Sequence, residues 1–176
     1  ALGMALPGSA TTHAVAGAKR QEAWRAGERA VALLHEDLRP RDIVSGRALR
    51  NAVTVSAAIG GSTNVTLHLL ALASEAGLPL DLATFDAVGQ QTPFLCDIKP
   101  SGRHSLLALD QAGGIPAVLL ELQERLDLDV PTVAGTAWRE LLLGRCNRDP
   151  QVVHSLADPL APQGSLAVLH GSLAPA

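Results

Sequence analysis

The sequence predicts a helix-rich α/β fold, and three observations support that prediction. Residues 17–38 alternate charged and apolar positions with helical spacing, as an amphipathic surface helix does. Residues 47–59 and 65–76 are apolar on nearly all sides, which is typical of buried helices. Residues 92–98 and 164–171 are short apolar runs of the length that buried strands have.

The composition and the charge exclude several classes of protein. A chain of 176 residues, 47% hydrophobic and 18% charged, fits one folded unit rather than a disordered segment. A net charge of −3 and the lack of tyrosine argue against a nucleic-acid partner. No apolar run reaches the roughly 18 residues that a membrane span requires, so no membrane association is expected. Cys96 and Cys146 form no disulfide framework and no zinc motif, which favours a cytoplasmic protein.

The remaining elements follow from capping and turn residues. Ser45 is a plausible N-cap for the helix over residues 47–59, and Gly77 is the expected end of the helix over residues 65–76. Asp81 or Thr84 is expected to begin a short helix. The other predicted helices cover residues 105–111, 117–126, with Pro116 at the first position, and 138–143, before a loop over residues 146–162.

Between the two apolar helices, residues 60–64 read Gly-Gly-Ser-Thr-Asn. Because both helices are expected to be buried, we expect this turn to lie deep in the protein. Its glycines allow positive φ, and Ser62, Thr63 or Asn64 can cap the following helix. The positive end of a helix dipole attracts a carboxylate or a phosphate. Gly61 and these three residues are therefore candidate substrate-binding residues; a plain helix cap is the alternative.

A second candidate stretch follows the strand-like run over residues 92–98. A Lys-Pro-Ser-Gly turn leads from this run into the next predicted helix, an arrangement that often builds binding loops. Lys99 and Ser101 are the candidate substrate-binding residues here, and a solvated turn is the alternative. Cys96 is expected to be a small buried hydrophobe, because an apolar environment raises the pKa of a thiol.

Five motifs occur in a characteristic order along the chain. They are Ala1-Leu2-Gly3-Met4-Ala5-Leu6-Pro7-Gly8; Asn51-Ala52 with Gly60-Gly61-Ser62-Thr63-Asn64 and Leu67-His68-Leu69-Leu70; Pro93 to Lys99-Pro100-Ser101-Gly102; Ala112-Gly113-Gly114-Ile115-Pro116; and Gly164-Ser165-Leu166-Ala167-Val168-Leu169-His170-Gly171. In this order and spacing they resemble the dihydroxy-acid and sugar-acid dehydratase family, which includes 6-phosphogluconate dehydratase.

The resemblance implies a fold and a chemistry. It implies that residues 1–146 are the rear part of an α/β/α N-terminal domain, and residues 147–176 a linker and the first strand of a C-terminal β-barrel. Family members remove water from a small 2,3-dihydroxy carboxylic acid to give a 2-keto acid, with an iron–sulfur cluster and magnesium, and form homodimers. None of the family's catalytic or metal-binding residues matches a position here, and Cys96 and Cys146 do not match the cluster cysteines.

The resulting hypothesis is a piece of a longer hydro-lyase. Both ends of the chain look cut, and the chain alone is expected to bind no cofactor and to be inactive. The expected function is that of a dihydroxy-acid dehydratase in branched-chain amino-acid biosynthesis. Two alternatives remain open: a sugar-acid dehydratase acting on a pentonate or 6-phosphogluconate, and a non-catalytic module that binds a small anion or a dehydratase subunit.

Overall fold

The computed structural model describes residues 1–100, 102–169 and 171–173, and this part of the chain is built from helices. It contains isolated β-bridges but no β-sheet. The elements are, in order, α1 (Gly17–His35), α2 (Pro40–Ile43), α3 (Gly46–Ile59), α4 (Thr63–Ala76), α5 (Leu82–Gln91), α6 (Leu106–Ala112), α7 (Gly114–Glu121), a 3-10 turn (Gln123–Arg125) and α8 (Trp138–Leu141).

Helix α3 lies at the centre of the fold because it contributes to two hydrophobic clusters. Leu49 and Val53 pack with buried side chains of α4 and α5. Val55 and Ala58, further along the helix, belong to a second cluster built mainly from later parts of the chain. A helix with apolar side chains on several faces can be stable only when it is covered on several sides, and α3 meets that condition.

The predicted helix ends are largely confirmed, since they depend on local hydrogen bonds. The Ser45 hydroxyl accepts the Ala48 N–H at 3.2 Å and begins α3. Asp81, one of the two predicted starting residues, accepts the Thr84 N–H at 2.8 Å and begins α5. Gly77 ends α4 in the left-handed conformation with φ of 69°. Helix α7 differs from its prediction at both ends, since it begins at Gly114, ahead of Pro116, and ends at Glu121 rather than at residue 126.

The expected strand over residues 92–98 is extended but forms only single bridges, so the prediction of a regular strand is wrong. Phe94 pairs with Ala161, and Cys96 pairs with Val153. The N–H groups of Leu95 and Cys96 both donate to the carbonyl oxygen of Ala58, at 2.8 and 3.2 Å. Two N–H groups of this segment are therefore bonded to the end of α3 and cannot bond to a neighbouring strand. The segment that forms the two bridges is an irregular, proline-containing loop.

The expected strand over residues 164–171 does not form in its described residues, and His170 lies outside them. This segment instead crosses the ends of α3 and α5. The Gly164 N–H donates to Gly89 O at 2.8 Å, and the Ser165 N–H donates to Ala57 O at 3.1 Å. A Cβ atom on Gly164 would lie 2.8 Å from the Ala57 Cβ, so the close approach requires glycine. The domain division at residue 146 stays a prediction.

Helices α1 and α4 leave most of their apolar side chains at least partly exposed. Helix α1 begins at the predicted residue but ends at His35, before the predicted end at residue 38. It buries no residue, and its Trp24, Val31 and Leu34 are 72%, 58% and 78% exposed. Helix α4 buries only Leu69 and Ala73. The expectation of a buried helix is therefore wrong for α4, and no other described element covers the exposed apolar side chains of α1.

In the described part of the chain, none of the helices combines the length and the apolar character that crossing a bilayer demands.

Asn51 fixes a later segment of the chain onto α3. This side chain is 3% exposed, and its amide donates to Asp127 O at 2.7 Å. It also accepts the Asp127 N–H at 3.0 Å. Both main-chain groups of Asp127 are therefore satisfied by one buried side chain.

We expect Asn51→Ala to lower the free energy of unfolding by about 2 kcal/mol, because it removes two hydrogen bonds worth about 1 kcal/mol each. Urea denaturation measures this change. The matched control is Gln21→Ala on exposed α1, which should stay within about 0.5 kcal/mol of the wild type. Equal stabilities of the two variants would contradict the role of Asn51.

The exposed apolar side chains of α1 and α4 should make this chain self-associate when it is produced alone. We expect light scattering to show oligomers whose mass falls when Leu34→Glu and Leu67→Glu are combined. Val15→Glu alters an apolar side chain that is 86% exposed before α1 and should leave the mass unchanged. A monodisperse wild-type monomer would contradict this expectation.

Candidate functional site

The glycine turn, residues 60–64, is a sharp connection between α3 and α4. Gly60 ends α3 with φ of 73° and ψ of 42°, and the N–H groups of Gly60 and Gly61 both donate to Ser56 O. A Cβ on Gly61 would overlap the Ser56 hydroxyl oxygen. Gly60 is therefore needed for its backbone conformation, and Gly61 for its close approach to Ser56.

Ser62 is the N-cap of α4, which resolves the choice among the three predicted capping residues. Its hydroxyl accepts the Asn64 N–H at 3.2 Å, and its carbonyl accepts the Val65 N–H at 2.9 Å. Within the described residues, these bonds leave the Thr63 N–H without an acceptor. The start of α4 thus keeps one free backbone donor at the positive end of a helix of 14 residues.

The glycine turn lies at the surface, so the prediction that it is deeply buried is wrong. Ser62, Thr63 and Asn64 are exposed, and Gly60 and Gly61 are partly exposed. The reason is that α4 buries only a narrow strip against its neighbours, and its first turn extends beyond them. The exposure leaves these groups open to a ligand.

Ser56 lies beneath the glycine turn and has an unmet hydrogen bond. The residue is 5% exposed, and within the described structure its buried hydroxyl oxygen has no hydrogen-bond partner. Buried polar atoms without partners are uncommon in native proteins. Two groups near this turn, the Ser56 hydroxyl and the Thr63 N–H, thus lack a hydrogen-bond partner in the part of the chain that the structure describes.

An apolar groove of about 340 Å³ lies beside the start of α4 and was not predicted from the sequence. Its lining residues come from α4, α5 and the crossing segment after Gly164: Thr63, Thr66, Leu67, Leu82, Phe85, Leu166, Ala167 and Val168. The prediction missed it because residues 164–171 were expected to form a strand. The groove can hold an alkyl group next to the free donor of Thr63.

The second candidate stretch forms a closed loop, called here the Asp97 loop, over residues 97–104, of which Ser101 lies outside the described part. The Lys99 N–H donates to His104 O at 2.8 Å, and the His104 N–H donates to Asp97 O at 2.9 Å. A Cβ on Gly102 would overlap the Asp97 carbonyl carbon, so only glycine fits there. Lys99 is exposed.

Asp97 holds this loop together and was missed as a site residue. It is 6% exposed, and its carboxylate accepts the Arg103 N–H at 2.9 Å and a bond from the Arg103 Nε. The backbone N–H and guanidinium of Arg103, with a smaller effect of His104, hold the pKa of the Asp97 carboxyl below its usual value. The sequence signal that could have identified Asp97 is that it is the only carboxylate in the apolar run over residues 92–98.

The glycine turn and the Asp97 loop are attached to the same element. The carbonyl of Ser56 holds the turn, and the carbonyl of Ala58 holds Leu95 and Cys96 just before the loop. Among the described residues no hydrogen bond or ion pair joins Lys99 to the turn. The structure therefore gives the two predicted sites a common support in the last turn of α3, but no direct contact.

The described residues do not offer a donor set for a metal ion or a cluster. They contain no group of three or more histidine, cysteine, aspartate or glutamate side chains placed to bind a metal. Cys96 is fully buried, and burial raises its pKa to about 12, so it remains a thiol at neutral pH. Cys146 is exposed. An iron–sulfur cluster or magnesium ion does not fit these residues.

Comparison with known proteins decides the family. The model of the dihydroxy-acid/6-phosphogluconate dehydratase N-terminal region matches residues 1–141. The chain belongs to this dehydratase family. The predicted membership in this family is thereby confirmed, and the helix-rich structure is consistent with an N-terminal dehydratase domain.

Curated members of the dehydratase family cover this chain almost completely. Proteins named dihydroxy-acid dehydratase from Syntrophobacter fumaroxidans and Moorella thermoacetica are each 46% identical over 99% of the chain. One from Nitratidesulfovibrio vulgaris is 47% identical over the same share. The chain spans only 32% of the length of each of these relatives.

The lowered pKa of Asp97 predicts how the loop responds to acid. The stabilisation by this carboxylate is complete above its ordinary pKa of 3.8 and is lost as the pH falls through the lower folded value. We expect Asp97→Asn to lower stability at pH 7 and to reduce the loss on acidification, as measured by urea denaturation from pH 7 to pH 2. Hydrogen exchange at the amides of Arg103 and His104 should also become faster.

The matched control is Asp129→Asn, which removes a different aspartate–arginine pair. Asp129 bonds to Arg139 at 2.7 Å, and this contact likewise lowers its pKa. This variant should change the acid response without faster exchange in the Asp97 loop. Identical exchange in wild type and Asp97→Asn would contradict the assigned role of Asp97.

Proposed function

We propose that this chain is part of a dihydroxy-acid dehydratase, a hydro-lyase that converts a 2,3-dihydroxy acid to a 2-keto acid in branched-chain amino-acid biosynthesis. The supporting observation is 46% identity to proteins of that name across 99% of the chain. The matching family model also includes 6-phosphogluconate dehydratases, so a sugar-acid substrate is the alternative. The three relatives named above are all called dihydroxy-acid dehydratase, which favours the dihydroxy acid.

The proposal places the chain within a longer polypeptide. Residues 1–146 would be the rear part of its α/β/α domain, and residues 147–176 would lead toward a barrel domain. The match of the N-terminal family model to residues 1–141 supports the first placement. The described residues of 164–171 form no strand, so only the continuation of the chain toward a barrel domain stays a prediction.

The cofactors of the proposed enzyme belong to other parts of that polypeptide. The family resemblance implies an iron–sulfur cluster and magnesium, whereas the donor groups described for this chain fit neither. The homodimer and the cytoplasmic location likewise remain predictions for the whole protein.

In the proposed enzyme, the glycine turn binds the carboxylate of the substrate. The Thr63 N–H and the Asn64 amide would donate to it, Ser62 and Gly61 would shape the turn, and Lys99 and Ser101 would add charge and a donor from the Asp97 loop. The adjoining groove would take the alkyl group. A helix dipole contributes only about 0.3–1 kcal/mol, so these residues would orient the substrate while other groups perform the chemistry.

A chimeric enzyme tests the proposed function. This chain would replace the matching third of the relative from Moorella thermoacetica, and formation of 2-keto acid would be assayed with a branched 2,3-dihydroxy acid and with 6-phosphogluconate. We expect turnover of the branched acid by the chimera and none by the isolated chain. A folded chimera with its cofactors bound that turns over neither acid would contradict the proposal, as would clear turnover by the isolated chain.

The role of the glycine turn is tested in the same chimera. We expect Asn64→Leu to lower turnover at least tenfold while the melting temperature stays within a few degrees, because Asn64 is exposed. Ser74→Leu, an exposed position in the last turn of the same helix, is the control and should retain turnover. Equal losses of activity and stability in Asn64→Leu would leave only a capping role for the turn.

A further inference from the structure

A second polar site shares no residue with the glycine turn or the Asp97 loop. It is a small cavity of about 50 Å³ between α3, the end of α5 and the 3-10 turn. This cavity is called here the arginine cavity. It is lined by Arg50, Thr54, Val88, Gln91, Thr92 and Arg125. None of them belongs to the proposed substrate site.

The two arginines come from separate elements of the fold, and one of them is held by a hydrogen bond of its guanidinium group. Arg50 lies on α3 one turn before Thr54, whose hydroxyl donates to Arg50 O at 2.9 Å. The Arg125 Nη1 donates to Gln91 O at 2.7 Å, which ties this guanidinium to the end of α5. Two cationic side chains from separate elements therefore line one small cavity.

Neither arginine has a carboxylate partner among the described residues, although nearby arginines do. Arg47, on the preceding turn of α3, pairs with Asp127 at 3.0 Å, and Arg139 pairs with Asp129 at 2.7 Å. The chain has 17 acidic residues for 14 Lys and Arg residues, so acidic groups are not scarce. Two uncompensated like charges around one cavity favour an anion between them.

Thr92 lines the same cavity. This residue is 3% exposed as a whole, and none of the side-chain hydrogen bonds of the described structure involves its hydroxyl. The hydroxyl oxygen is not among the fully buried polar atoms that lack a partner, so it is open to the space in the cavity. It can therefore donate a hydrogen bond to an anion bound there.

The size of the cavity limits the ligand to a small group. One water molecule needs on the order of 10–15 Å³, so about 50 Å³ accommodates a group of a few heavy atoms. One guanidinium group can bind a carboxylate or a phosphate through two parallel hydrogen bonds. A carboxylate or phosphate group fits both the volume and the donors.

We propose that Arg50, Thr92 and Arg125 form a binding site for a small oxyanion, either a phosphate or a carboxylate group. The two guanidinium groups, which come from separate elements, donate to the anion, and the Thr92 hydroxyl adds a third donor. Because both arginines are exposed, solvent weakens their attraction and the affinity is modest.

Calorimetric titration of this chain with inorganic phosphate and with acetate, at constant ionic strength, tests the site. We expect saturable binding of at least one of the two anions. Stronger binding of phosphate would identify a phosphate-bearing ligand, and equal or stronger binding of acetate would identify a carboxylate. Either result supports the site, whereas failure to saturate with both anions would overturn it.

Variants separate the site from general salt effects. Arg50→Gln and Arg125→Gln should each weaken binding at least tenfold, and the nearly isosteric Thr92→Val should also weaken it. Arg20→Gln, the same change of charge on exposed α1, should bind like the wild type. Circular dichroism verifies that each variant is folded, and Arg50 is exposed, so its variant should fold. Unchanged binding by folded Arg50→Gln would overturn this proposal. The result does not depend on whether the proposed dehydratase activity is found.

Discussion

Helix α3 is buried along most of its length, and its last turn supports both stretches that we propose to contact substrate. The carbonyl of Ser56 accepts hydrogen bonds from the two glycines of the turn. The carbonyl of Ala58 accepts those of the segment that leads into the Asp97 loop. Since both carbonyls belong to a helix packed into two hydrophobic clusters, a shift of α3 would move both stretches together.

The two stretches are stabilised by different interactions. The glycine turn depends on backbone conformation and close packing, because any side chain at Gly61 would collide with the Ser56 hydroxyl. The Asp97 loop depends on a nearly buried carboxylate whose charge is balanced by Arg103. A turn of the first kind is insensitive to charge, whereas a loop of the second kind depends on the protonation of one group.

The features that could be predicted from the sequence are those set by neighbouring residues. Ser45, Asp81 and Gly77 act at helix ends as predicted, because a cap is a contact within a few residues. The family could also be predicted, since its motifs are short stretches of contiguous residues. The candidate site could be predicted only in part. Its capping residue was among the three predicted ones, but the sequence did not predict that the turn is exposed.

The features that were missed depend on distant parts of the chain. The run over residues 92–98 has the composition of a strand, yet α3 takes two of its N–H groups. The pattern of α1 is that of a surface helix with one buried face, yet none of the described elements lies against that face. The importance of Asp97 depends on Arg103 folding back onto it, which composition alone does not indicate.

The contact between Gly164 and Ala57 has a consequence for whatever follows the helices. It leaves no room for even one additional methyl group, and two backbone hydrogen bonds flank it. The path of the chain as it leaves the helical layer is therefore anchored at a single, tightly fitted point. A longer preceding loop would adopt a different conformation, but the position at which the next segment leaves the helices would stay the same.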